Sequence, residues 1–251
     1  MTEPIHLEIS DEIRSRFPSI AAGGFIATGL QDLEGVGLPD ENQVRAQLEK
    51  EGLAIETITA DPRIAAWRDA IRDSGLKASK VRGSAEQLVR RILRGGELSA
   101  PPLVRLYCLV SARFVAPMGA YDLDRLPATT IHLREPEPGD SFDPLGASPD
   151  EMPLTPDVPV YAIGSIIVCW MFNVRDAKST ALVETSDRAV FMAEALNEPQ
   201  LEAARSALEE LRSILDHAGA VTGDIAWTGT DGSCLIRKEP DGMDNEGRAG
   251  H

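Results

Sequence analysis

Mixed helices and strands around one large core follow from three features of the sequence. With 251 residues and 43% hydrophobic side chains, the chain can bury a full core, as one α/β-type domain or two intimate halves. Apolar residues recur at helical spacing in some segments and form β-branched or alternating runs in others. Proline, glycine and capping residues mark where those segments start and stop.

In chain order, residues 5–9 alternate as a short strand, and Asp11 to Phe17 make a turn or two of helix before Pro18. Ser19 to Leu30 reads as a buried strand, in which Gly23-Gly24 marks a bulge or a close backbone approach. A loop rich in Gly, Asp and Pro covers 31–40, and Asp40 caps a helix reaching Glu51 and closed by Gly52. The next helix has Asp61 as N-cap, Pro62 at its first position and Gly75 after its last turn, with Ile64, Trp67 and Ile71 on one stripe. Trp67 is read as a core anchor rather than a base-stacking platform. Ser84 and Gln87 have the spacing of a capping box for a helix carrying Leu88, Val89, Ile92 and Leu93, stopped by Gly95-Gly96.

Pro101-Pro102 opens a helix whose Leu103, Leu106, Tyr107, Val110 and Phe114 point one way. It delivers the chain to a turn at Pro117 to Asp122, where small residues expose backbone amides beside an aromatic ring and a carboxylate. Thr129 to Leu133 is strand-like. Residues 135–159 are proline-rich and acidic, an insertion loop of the kind that forms lids or interaction surfaces. Val160 to Cys169 reads as a central strand, and Ala181–Val183 and Ala189–Ala195 as further strands. Pro199 opens the longest helix, with Leu201, Ala204, Leu208, Leu211 and Leu215 on the face that covers a sheet. Ile225–Thr228 and Cys234–Arg237 suggest a terminal hairpin, and residues 239–251 a disordered acidic tail.

Composition narrows the chemistry. A formal charge of −15 argues against nonspecific nucleic-acid binding. Between Arg63 and Arg94, however, nine basic residues face three acidic ones, which is either a pair of solvated helix faces or a patch for RNA phosphates; Lys77, Lys80, Arg82, Arg90, Arg91 and Arg94 are its candidates. Cys108, Cys169 and Cys234 sit apart in apolar segments and read as buried thiols, and four scattered histidines complete no metal motif. No cofactor motif appears. With neither a membrane-length apolar run nor a signal-peptide pattern, a cytoplasmic protein is expected.

Two stretches carry a family resemblance. Pro117-Met118-Gly119-Ala120-Tyr121-Asp122 followed by Leu123-Asp124-Arg125-Leu126, and Asn173-Val174-Arg175-Asp176 followed by Glu184-Thr185 and the strand to Glu194, are similar to the B3/B4 domain, the editing domain of the phenylalanyl-tRNA synthetase β subunit, in its free-standing form. Helical pieces around Trp67 and from Ser84 to Arg91 also fit, so residues 1–238 are expected to be one B3/B4-like domain. The resemblance implies an α+β fold, a mixed sheet flanked by helices. It also implies hydrolysis of a mischarged aminoacyl ester, with tyrosine on the phenylalanine tRNA as first candidate.

Such an ester needs a positioned water and oxyanion donors rather than a protein nucleophile, and no catalytic nucleophile is assigned. By resemblance, Phe191-Met192-Ala193-Glu194 carries onto Glu194 the recognition of a substrate phenol; the alternative is a strand-end glutamate facing solvent. Gly119 stands where the synthetase has a histidine, which enlarges the pocket. Arg175 could hold a phosphate or carboxylate, or pair with Asp176 or Glu184, and Thr185 could cap or line the pocket. Asp122 could contact ligand or cap the local turn. The candidate substrate wall is therefore Gly119, Ala120, Tyr121, Asp122, Asn173, Arg175, Thr185 and Glu194. The expected partner is a charged tRNA 3′ end, or a small amino-acid-like ligand. A non-catalytic binding module and a biosynthetic enzyme acting on an amino-acid derivative in the same pocket are the rivals.

Overall fold

The computed structural model describes residues 3–31 and 40–238. It is an α+β fold with two sheets and six α-helices among the described residues. Strands β1 (Ile5–Ile9), β4 (Thr130–Arg134), β5 (Val160–Ile163), β6 (Ile166–Trp170), β7 (Arg175–Asp176) and β11 (Ser233–Ile236) make a six-stranded sheet ordered β11-β1-β4-β5-β6-β7. Strands β2 (Ala21–Thr28), β3 (Met118–Asp122), β8 (Arg188–Ala195) and β10 (Ala226–Trp227) are ordered β10-β2-β8-β3, with β9 (Val221–Thr222) also on β2. All pairings are antiparallel except β1 with β4.

Period-two alternation in β8 gives the second sheet two different faces. Val190 and Met192 join Ala22, Ile26 and Tyr121 in a core shared with Leu7, Ile131, Leu133 and Tyr161 of the first sheet. Phe191 and Ala193 face the other way with Phe25, Met118 and Ala120, toward α5 (Pro102–Phe114) and α6 (Glu198–His217). The layers are therefore sheet, sheet, helices. A third cluster lies among α2 (Glu41–Lys50), α3 (Pro62–Asp73), α4 (Ser84–Leu93) and the far side of α5; the remaining helix is α1 (Asp11–Arg16).

Several helix ends form as their residues dictate. Asp40 accepts from the Gln43 amide in a reciprocal capping box, Asp61 accepts from the Arg63 amide ahead of Pro62, and Gly52, Gly75 and Gly95 take the left-handed conformation after their helices. Gly23 and Gly24 mark a close approach and not a bulge, since the β2–β8 register is continuous. A Cβ on Gly24 would lie 2.1 Å from the Phe191 carbonyl oxygen.

Four local expectations are corrected. Met118–Asp122 is a strand, not a turn: it pairs with β8, while the Asp122 amide points outward and donates to the Thr180 carbonyl at 3.0 Å. Val160–Cys169 is not one strand but the β5–β6 hairpin, reversed at Gly164 with φ 57°. Ala181 makes only an isolated bridge to Tyr121. The terminal segments do not pair with each other, because β10 joins β2 while β11 crosses to β1. Helix α5 does point Leu103, Leu106, Tyr107, Val110 and Phe114 one way as expected, while Leu109 and Ala112 on its other side enter a further cluster. Loop residues 32–39 and the tail 239–251 lie outside the described residues. Residues 135–159 run along β6 and β7, where Ser141 bridges Ile166, Pro144 bridges Ala177, and the Trp170 indole N–H donates to the Pro153 carbonyl at 3.0 Å.

Candidate functional site

A pocket opens where the two sheets and the start of α4 converge. Its walls come from β3 (Gly119, Tyr121), β8 (Met192, Glu194), β5 (Tyr161), the β6–β7 turn (Phe172, Asn173), β7 (Asp176) and Ser84. Its free volume is about 80 Å³. Residues from the two stretches singled out in the sequence thus meet in one place.

Local strain sets the geometry. Met171 and Phe172, in the tight turn joining β6 to β7, adopt φ of 52° and 57°, a left-handed pair that costs on the order of 1 kcal/mol or more per non-glycine residue. Packing holds it: the Phe172 ring sits edge-on to Phe17 at 5.2 Å and to Trp67 at 5.4 Å. The turn delivers Asn173 to two partners. Its side-chain N–H donates to Glu194 Oε1 at 2.7 Å, and its carbonyl oxygen accepts from the Ser84 amide at 3.1 Å.

This second bond overturns the expected capping box. The helix is capped by Asn173 from 89 positions away, and the Gln87 side chain donates instead to the Arg82 carbonyl. Gly83 precedes the helix because a Cβ there would come within 3.0 Å of the Asn173 oxygen. The Ser84 hydroxyl oxygen, released from capping, is sealed from solvent and has no hydrogen-bond partner.

Glu194 is buried, 4% exposed, and does not face solvent. The Tyr161 hydroxyl donates to its Oε2 at 2.5 Å and Asn173 holds its Oε1. Burial pushes its carboxyl up to about 7, against the pull of those two donors and helped by the charge of Asp176. Burial likewise raises Asp176 to about 6, opposed by the Cys169 thiol, the Arg175 charge and the Tyr121 hydroxyl. Among the described residues no lysine or arginine lines the pocket. Burial also lifts the thiols, Cys108 to about 12 and Cys234 to about 11, so neither offers a thiolate near neutrality. Among the described residues no group of His, Cys, Asp and Glu is placed to hold a metal ion.

Of the eight residues expected on the substrate wall, Gly119, Tyr121, Asn173 and Glu194 line the pocket. Ala120 faces the helical layer. Asp122 caps its turn, accepting from the Asp124 amide at 2.9 Å and the Ser186 hydroxyl at 2.6 Å. Arg175 donates to the Leu145 carbonyl, and Thr185 is exposed on a loop. A Cβ on Gly119 would make ordinary contacts, 3.7 Å from the Tyr121 hydroxyl and 3.9 Å from Asp176. Asp176, Tyr161 and Ser84 were not assigned from sequence; Asp176 was visible beside Arg175, but only the fold reveals what surrounds it.

The basic segment is largely neutralised from within. Glu86, 2% exposed, takes Arg68 at 2.9 Å, Arg90 at 2.8 Å and Arg82 at 3.7 Å. Arg63 pairs with Asp61 and Glu51, and Arg72 with Asp69. Lys77, Lys80, Arg91 and Arg94 are exposed; the first two lie on the loop that leads to Ser84 and the pocket. No helix among the described residues is long and apolar enough to cross a membrane.

These features define a class: an α+β protein with a small, acid-lined, partly enclosed pocket built between two sheets. The B3/4 domain profile matches residues 66–213, more than half of the chain, and the chain belongs to that family. Among solved structures it is similar to an N-terminal fragment of the phenylalanyl-tRNA synthetase β subunit from Pyrococcus horikoshii. The identity is 10% and the TM-score 0.46, over 86% of this chain and 49% of that one. The chain thus spans about half the length of that fragment. No curated protein matches.

Proposed function

We propose that this chain is a free-standing editing-type protein that binds the charged 3′ end of a tRNA in the cytoplasm and hydrolyses its aminoacyl ester. In this reading residues 1–238 act as one B3/B4-like unit. The observation that carries it is the pair of carboxylates, Asp176 and Glu194, raised to about 6 and about 7 in one pocket whose described lining holds no lysine or arginine. Membership of the B3/4 family supports the same substrate class.

The chemistry is water attack on an activated ester. Asp176, ionised above about pH 6, takes a proton from water as the water oxygen bonds to the carbonyl carbon. The developing oxyanion sits at the side of the pocket where Ser84 opens a ten-residue helix, whose N-terminal dipole favours negative charge. The bond to the ribose oxygen then breaks, and the ribose leaves as a hydroxyl carrying the proton that Asp176 had taken. Lys77 and Lys80 are placed to meet the tRNA phosphates.

One observation favours a second reading, action on a small amino-acid derivative without a tRNA body. Five of the nine basic residues between Arg63 and Arg94 are spent on internal carboxylates, which leaves little positive surface for RNA. Deacylation of a panel of charged tRNAs, including tyrosine on the phenylalanine tRNA, separates the two. The expected result is accelerated loss of one mischarged species by the wild type, reduced about 100-fold in Asp176→Asn. Acceleration of none, with hydrolysis of a small aminoacyl ester, selects the second reading.

A further inference from the structure

The pocket's charge and size specify what sits in it. Its described lining supplies two carboxylates and no basic side chain, so a ligand carboxylate would meet only repulsion there, whereas an ammonium group would find acceptors. Glu194 is suited to that role. Tyr161 and Asn173 each occupy one lone pair of its carboxylate and fix its plane; a carboxylate offers about four such sites, so roughly two remain.

Size excludes much else. The free volume of about 80 Å³ is roughly half of the 150 Å³ apolar cavity that admits a benzene ring. An aromatic side chain does not fit without displacing the Phe172 or Tyr161 walls, and a methyl-sized group does.

We propose that Glu194 holds the α-ammonium of an aminoacyl group whose side chain is small and aliphatic, and that the pocket rejects free, carboxylate-bearing amino acids. The assignment rests on reading this pocket as an aminoacyl-ester site. It makes Glu194 a substrate-specificity residue, while Asp176 acts on water.

The test uses ligands that cannot be turned over. Alaninamide carries the ammonium without a carboxylate, and lactamide replaces the ammonium with a hydroxyl at nearly the same size. Binding to the full chain, read by NMR shifts at pH 7, is expected to favour alaninamide over lactamide, alanine and phenylalaninamide by at least about tenfold. In Glu194→Gln, which keeps the Tyr161 and Asn173 contacts possible, the alaninamide-to-lactamide preference should fall to near one. A variant that was only loosened would weaken both ligands and keep their ratio. Equal affinities in the wild type, no alaninamide binding, or a preference that survives Glu194→Gln would overturn the proposal. Charged-tRNA hydrolysis is measured apart from these ligands. Selective alaninamide binding without hydrolysis would sink the editing reading alone, and hydrolysis with unselective binding would sink this inference alone.

Discussion

Glu86 and Glu194 are buried almost equally, at 2% and 4% exposure, yet the fold treats them in opposite ways. Glu86 sits under α3 and α4 with the guanidinium groups of Arg68 and Arg90 within 2.9 Å and Arg82 beyond them. Glu194 receives a phenol and an amide, with a second carboxylate near it and no cation. This chain has the means to neutralise an enclosed carboxylate and uses them at Glu86. Leaving Glu194 without a cation, next to an Asp176 that the Arg175 charge offsets only in part, costs stability, and such a cost concentrates at sites that bind or react.

Disturbing Glu86 should have the largest effect. Glu86→Gln strands Arg68 and Arg90, both mostly enclosed, and removing one partner of a buried ion pair costs about 3–5 kcal/mol. Urea unfolding at pH 7 should show a loss of that order; a loss near zero would mean that the arginines relax into solvent.

The mirror-image change at the pocket should stabilise. The Glu194 carboxyl stands near 7 in the folded chain against an ordinary 4.5, so the folded state binds more protons than the unfolded state between those values. Stability therefore falls as pH rises from about 4.5 through about 7, by about 3 kcal/mol at 1.36 kcal/mol per pH unit. Glu194→Gln removes that decline, so denaturation midpoints at pH 8 should rise while those at pH 4 barely move. Asp176→Asn acts in the same direction over a lower window, from 3.8 to about 6, with a slightly smaller gain. A loss of stability at pH 8 in both variants would show the two carboxylates to be structural, as Glu86 is.

The smallest effect on stability is expected at Gly119. Its added Cβ makes ordinary contacts, 3.7 Å to the Tyr121 hydroxyl and 3.9 Å to Asp176, so Gly119→Ala should shift stability by less than about 1 kcal/mol. The methyl stands beside the proposed base, so hydrolysis should drop while the thermal midpoint holds. Parallel kinetics and melting curves check both halves.

The same contrast explains what the sequence makes legible. Helix ends were readable at Asp40, Asp61 and Gly75, where cap and helix are neighbours in the chain. The cap of α4 was not readable, because Asn173 arrives from the other end of the domain. Apolar continuity hid the β5–β6 hairpin, since a run buried on both sides looks the same whether or not it reverses at Gly164. At the pocket, Gly119, Tyr121, Asn173 and Glu194 were found because they lie within the two resembling stretches. Asp176 lies in one of them too but was read only as a partner for Arg175, and Tyr161 lies outside both; a carboxylate and a phenol acquire unusual surroundings only when sheets close over them. The basic segment shows the converse: its charge count was correct, but pairing with Glu86, Asp61 and Asp69 is a tertiary fact.

The direct test of the raised pair is a carboxyl-carbon NMR titration of the wild type, with Asp176→Asn and Glu194→Gln assigning the two resonances. Midpoints near 7 for Glu194 and near 6 for Asp176 are expected. Midpoints near the ordinary values of 4.5 and 3.8 would mean that the pocket is wet or compensated, and would contradict that expectation.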